Sequence, residues 1–262
     1  MSTQTYHGLI LEKNNHTAIL TLNNPPANVW TEKSLKALVE VINELNADHE
    51  IYSLILTGQG GKFFSAGADL HLFKNGDKEV ASNMARSFGF AFETLSNFRG
   101  VSIAAINGYA MGGGLECALA CDLRITEEQS VLALPEASVG LLPCAGGTQW
   151  LSWLVGEGWA KRLILCGEHL DAETALRIRL VEEVTSSGKA LTSALALAQK
   201  INNQSPTSIA ACKRLIQAAR NIMPNQALPH ERVEFVKLFD SMNQREGVNA
   251  FLEKRAPHWL NT

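Results

Sequence analysis

Short apolar runs and helical periods alternate through the first half of the chain. Residues 17–22 and 52–57 read as strands, and between them 31–45 places Leu35, Leu38, Val39, Ile42 and Leu45 at three- and four-residue steps behind a capping Thr31. A second helix is predicted over roughly 79–97, carrying Val80, Met84, Phe88, Phe92 and Leu95, with a strand at 101–106 after it. A glycine-rich turn over 108–114 follows directly. It should open a helix near Gly113 that holds Leu115, Leu119, Cys117 and Cys121 and gives way to strands at 122–125 and 131–134. From about residue 189 strands disappear, and helices are predicted over 190–201, 206–219 and 231–241. The pattern is α/β, changing to all-helical at its end. No internal repeat, low-complexity tract or flexible linker is visible in it.

Composition narrows the picture without changing it. A chain of 262 residues, 46% apolar, can bury one large core. Its formal charge of −3 lacks the footprint of a nucleic-acid binder. The polar start has no apolar signal region and no stretch reaches membrane-spanning length, so a cytoplasmic protein is expected. Five cysteines, an odd number set in apolar segments, read as buried reduced thiols of the core. Cys117 and Cys121 have helical spacing, but nothing is placed to complete a metal site, and none is expected.

Candidate chemistry begins with the glycines. The cluster at 108–114 has the wrong spacing and position for a dinucleotide fingerprint, and Gly61-Lys62 is followed by Phe63 rather than the Ser or Thr of a phosphate loop. A strand, a glycine turn and a helix start can instead aim unpaired N–H groups at one point, where the helix dipole favours an oxyanion. The loops at 65–69 and 112–114 could supply one donor each. Glu116 and Glu136 lie twenty residues apart. The apolar neighbours of Glu116 imply a buried helix and a carboxylate with a task, whereas Glu136 after Pro135 reads equally as an ordinary first-turn acid. Two carboxyls suit addition of water across a double bond beside a carbonyl, with one group handling water and the other delivering a proton to carbon.

Three ordered motifs make the resemblance specific: Ser65-Ala66-Gly67-Ala68-Asp69-Leu70, the run from Asn107 through Gly112-Gly113-Gly114-Leu115 to Glu116, and Pro135-Glu136 through Gln149. Together with Pro25-Pro26-Ala27-Asn28 and the ending Glu246-Gly247-Val248-Asn249-Ala250-Phe251, they resemble the crotonase, or enoyl-CoA hydratase/isomerase, family over most of the chain. The resemblance implies a spiral of ββα units, here residues 1–195, and a C-terminal helical region, 196–262, for trimerisation and cover of the CoA site. A homotrimer or a hexamer of two trimers is expected. It further implies backbone oxyanion donors at Ala68 and Gly113, catalytic acids at Glu116 and Glu136, and substrate or CoA contacts from Ala66, Asp69, Leu70, Gly112, Pro135 and Cys144. The substrate class implied is an acyl-CoA thioester, with no metal and no separate cofactor, because coenzyme A arrives on the substrate.

The activity implied is reversible hydration of a 2-trans-enoyl-CoA to a 3-hydroxyacyl-CoA. Glu116 would deprotonate water and Glu136 exchange the α-carbon proton, a division that the sequence leaves open. Other reactions of the family stand beside it: double-bond isomerisation, dehydration of a specialised hydroxyacyl-CoA, or thioester hydrolysis. Members that only move a double bond usually keep one acid near Glu136, so Glu116 favours hydration. A non-catalytic or RNA-associated role would need a basic helical face, which is not visible. Three residues depart from the pattern: Cys144 stands where the family usually has glycine, His71 where many members carry lysine, and Trp30 is bulky for its place. Lys62 or Lys74 could substitute for the missing lysine near the CoA phosphates.

Overall fold

In the computed structural model, which describes residues 2–260, two sheets share one repeating connection. Strands β1 (Ser2–Tyr6), β2 (Leu9–Asn14) and β3 (Thr17–Leu22) form an antiparallel meander, and β4 (Ser53–Gly58), β6 (Val101–Ile106), β8 (Leu123–Glu127) and β11 (Glu183–Thr185) extend it in parallel. The smaller sheet runs β10 (Leu170–Asp171), β9 (Val131–Ala133), β7 (Tyr109–Met111), β5 (Phe63–Ser65). Each of β4, β6 and β8 passes directly to its successor in the small sheet and then into a helical segment. This is the expected succession of strand–strand–helix units. It repeats in the backbone, with side chains different enough to hide it from the sequence.

Helices α1 (Glu32–Ala47), α2 (Lys78–Ser96) and α3 (Gly113–Ala120) pack on one face of the large sheet. Alternation along the parallel strands sends Leu54, Leu56, Ala104 and Ile106 into that core, while Ile55, Ile103 and Ala105 face the other way. There they meet α6 (Ala190–Asn202) through Ala190, Ala194 and Ala198. Local capping fits the sequence: Thr31 and Ser34 form a reciprocal capping box at α1, and Asp77 accepts from Glu79 and Val80 at α2.

The elements read from periodicity lie where the pattern places them, to within a residue or two, as far as Ala218. Elsewhere the structure adds and corrects. Strand β1 lies in a polar start that carried no signal, and β2 went unread although Leu9 and Leu11 alternate into the core. Helix α4 (Gly147–Leu165) went unread because its apolar positions form no single stripe and Gly156, at φ 77°, breaks it in two. The helix expected over 231–241 starts earlier, as α8 (Pro224–Lys237), with Pro224 at its first turn and Pro229 inside it, and a 3-10 turn over Leu238–Asp240 follows. Earlier in the chain, α5 (Ala172–Arg177) packs beside β9, β10 and β11, and α7 (Pro206–Ala218) packs against both α8 and β6, while α9 (Met242–Leu252) ends the helical series. Among the described residues, no helix is long and apolar enough to cross a membrane.

Candidate active site

The two loops marked by the sequence as amide donors are built by different means and end side by side. The 65–69 loop leaves β5 and is held from behind by residues 27–30. Ala66 N–H donates to the Ala27 carbonyl (2.9 Å), Ser65 Oγ to that of Asn28 (2.7 Å), and Trp30 N–H to that of Gly67 (2.7 Å). The second loop turns from β7 into α3 at Gly112, where φ is 54° and the N–H donates to the Ala133 carbonyl (2.9 Å). Gly67, at φ 87°, lies against this helix start. A Cβ there would stand 2.7 Å from the Met111 carbonyl oxygen and 3.0 Å from Gly113 N. Ala66 and Gly112 thus have their N–H groups committed. Those of Ala68 and Gly113 have no acceptor among the described residues, and at the first position of a helix none exists within the helix.

The carboxyls sit in contrasting surroundings. Glu116 is 3% exposed, and its Oε1 accepts N–H bonds from Ala145 (2.8 Å) and Gly147 (2.9 Å). Burial raises its pKa, and the two N–H donors oppose the rise by stabilising the anion. Glu136 opens a 3-10 turn, Glu136–Val139, after Pro135. Its Oε2 is buried without any hydrogen-bond partner among the described residues. Its Oε1 lies 2.9 Å from where a Cβ on Gly112 would be, so glycine there makes room for the carboxyl. Burial lifts the pKa of Glu136 to about 7; a bond from its own N–H opposes this and the charge of Glu116 adds to it.

One cavity of about 550 Å³, a size usual for small-molecule sites, gathers nearly all of these residues. It is lined by Ala66, Ala68, Leu70, Gly112, Gly113, Glu116, Pro135, Glu136 and Cys144. Asp69 is not among its walls. Its carboxylate instead accepts from His71 N–H (3.0 Å), capping a 3-10 turn over Leu70–Phe73. His71, Lys62 and Lys74 are exposed. Phe73, Met84 and Phe88 come from the stretch 71–92 that the family resemblance assigns to the acyl pocket, and they form an apolar wall there. Sequence reasoning missed its Leu141 and Leu142, and it missed the Ala145 and Gly147 amides that hold Glu116. The run Val139-Gly140-Leu141-Leu142-Pro143 was the available signal: large exposed apolar residues around a glycine.

The cysteine expectation needs correction. Cys117 and Cys121 are buried, but Cys144, Cys166 and Cys212 are exposed, because they fall on loop and helix positions that face outward despite apolar neighbours in sequence. The thiol of Cys144 is pushed up to about 11, by partial burial first and then by the negative charge of Glu116 and Glu136. Among the described residues, no cluster of three or more His, Cys, Asp or Glu is arranged to hold a metal ion.

Known proteins resemble this chain along nearly its whole length. Residues 12–262 match the family described as Enoyl-CoA hydratase/isomerase. The chain is 37% identical over 254 residues to the short-chain-enoyl-CoA hydratase of Clostridium acetobutylicum, covering 95% of this chain and 96% of that one. It is 36% identical to the 2,3-dehydroadipyl-CoA hydratase of Escherichia coli, covering 95% and 97%. A solved structure of Pseudomonas aeruginosa DspI is similar at 64% identity and a TM-score of 0.96, covering 98% of each chain.

Proposed function

The chain belongs to the enoyl-CoA hydratase/isomerase family, and on that premise we propose that it adds water reversibly across the double bond of a 2-trans-enoyl-CoA, giving the 3-hydroxyacyl-CoA. The observation that carries this reading is the unpartnered, buried Oε2 of Glu136 in the same cavity as Glu116, whose Oε1 accepts two backbone N–H bonds. Two carboxyls whose surroundings treat their charge differently divide acid and base work between them.

The thioester carbonyl accepts the N–H groups of Ala68 and Gly113, each donor worth about 2.7–4 kcal/mol to the developing negative charge. Glu116 takes a proton from water as the water oxygen bonds to C3. The electron pair of the double bond moves toward the carbonyl, and Glu136 gives its proton to C2. Dehydration retraces these steps. Met84, Phe88 and Leu142 offer the acyl chain an apolar wall. Coenzyme A comes with the substrate, so the reaction needs no other cofactor.

Crotonyl-CoA and longer homologues should lose their enoyl absorbance on addition of the protein, with mass spectrometry showing products one water heavier. No hydration at any chain length rejects the proposal, and a product of unchanged mass indicates isomerisation instead. Glu116→Gln should lower turnover by about 10²- to 10⁴-fold and still bind the CoA ester.

The proposal includes assembly as a trimer, or a hexamer of two trimers, in a reducing, cytoplasmic setting. In its support, α8 buries none of its own residues and exposes Leu228, Val233, Phe235 and Val236, and three thiols are exposed and free. Sedimentation equilibrium should return a mass three or six times that of the chain, and a monomer at micromolar concentration would exclude both assemblies.

A further inference from the structure

Trp30 does not line the cavity, yet it joins the two loops that shape it. Its backbone bridges Ala68 in parallel, with Trp30 N–H donating to the Gly67 carbonyl at 2.7 Å. Its ring is 1% exposed and stands edge-on to Phe92, with centroids 5.5 Å apart at 71°. Phe92 meets Phe88 in the same manner, at 5.6 Å and 77°. Phe88 in turn backs the other loop: its Cε1 lies 2.9 Å from where a Cβ on Gly113 would be. An unbroken row of contacts therefore runs from Ala68, through Trp30, Phe92 and Phe88, to Gly113. The loops also approach each other directly, Gly67 Cα lying 3.7 Å from that same Cβ position.

The indole is not retained for a hydrogen bond, because its Nε1 is buried with no partner among the described residues. A buried donor left unpaired is a cost that Phe or Leu would avoid. The property that distinguishes Trp30 here is the reach of its ring. We propose that Trp30 is a positioning residue: its ring, acting through Phe92 and Phe88, fixes how far apart the Ala68 and Gly113 N–H groups stand and hence how strongly they polarise a thioester carbonyl.

The proposal rests on the hydratase reading, and one probe separates the two. Cinnamoyl-CoA has a double bond conjugated with its carbonyl, so donors that polarise the carbonyl move its absorbance to longer wavelength. The wild-type protein should show this shift on binding the probe. In Trp30→Leu the shift should shrink by more than half, and kcat for crotonyl-CoA should fall about tenfold or more, since a displacement of about 1 Å can cost a factor near 10². KM should stay within about threefold, as expected when only transition-state stabilisation is lost. Trp30→Phe, which keeps an aromatic edge toward Phe92, should fall between the two.

A purely structural Trp30 predicts something else: a lower Tm, with the shift per bound probe and the kcat of the folded protein unchanged. That result overturns the proposal. If Trp30→Leu does not fold, Trp30→Phe and Phe92→Leu read the same quantity, and an unaltered shift in both overturns it equally. Absence of any shift and any turnover in the wild-type protein would instead reject the hydratase reading itself.

Discussion

Glu136→Gln is expected to cut turnover of crotonyl-CoA by about 10²- to 10⁴-fold, the usual contribution of a positioned proton donor, while leaving affinity for the CoA ester nearly intact. The substitution keeps the shape that fits beside Gly112, where the carboxyl oxygen lies 2.9 Å from a would-be Cβ. It removes the proton that the other oxygen, buried and unpartnered, is free to carry. Stopped-flow absorbance gives kcat, and calorimetric titration with a non-reacting CoA ester gives affinity. Equal loss of both would mean that Glu136 shapes the pocket and does no proton work. Retention of kcat would remove it from the mechanism altogether.

The same proton sets the pH dependence. Hydration uses the pair with its single proton on Glu136 and Glu116 ionised, whereas dehydration uses the tautomer with that proton on Glu116. Both directions thus draw on the singly protonated pair, and its apparent pKa values belong to the pair. As pH rises through about 7, where burial holds Glu136, the proton is lost and kcat/KM should fall in both directions together. Glu136→Gln should abolish that limb in the residual activity. Profiles for crotonyl-CoA and 3-hydroxybutyryl-CoA that diverge above about pH 7, or stay flat there, contradict a shared proton.

How much of this was legible depends on whether the information was local. The heptad-like steps from Leu35 to Leu45 and the run from Val101 to Ile106 carry their own periodicity, and α1 and β6 sit where it places them. The glycine turn before Glu116 announced a helix start by composition, and α3 begins at Gly113. Convergence was not local. Nothing in residues 141–147 says that the Ala145 and Gly147 amides close on a carboxylate about thirty positions earlier. Glu136 was equally a first-turn acid until the tertiary structure buried one oxygen and left it without a partner. Cys144, Cys166 and Cys212 misled for the converse reason: apolar neighbours in sequence do not decide which way a side chain faces. Asp69 resembled a ligand-binding residue by its motif, and in the fold it caps its own turn.

Gly67→Ala should cost turnover as well as stability, and a second glycine shows why. At φ 87° an added Cβ carries the left-handed backbone penalty of roughly 1–2 kcal/mol. It would also stand 2.7 Å from the Met111 carbonyl oxygen and 3.0 Å from Gly113 N. Neither atom can withdraw easily, since β7 is paired with β9 at Met111 and the adjoining Gly112 N–H is bonded to Ala133. The 65–69 loop must move instead, carrying the Ala68 N–H away from its target, and a lost oxyanion donor costs about 10²- to 10³-fold in kcat. Gly60 is the control: its φ is 83°, and a Cβ there meets nothing within 4 Å. Both variants should lose stability to backbone strain, lowering Tm by about 2–8 °C, but only Gly67→Ala should lose turnover. Calorimetry and initial rates on the two proteins decide the matter. Matched losses of Tm with equal, undiminished kcat would mean that the contact between Gly67 and the start of α3 does not set the geometry of the donor pair.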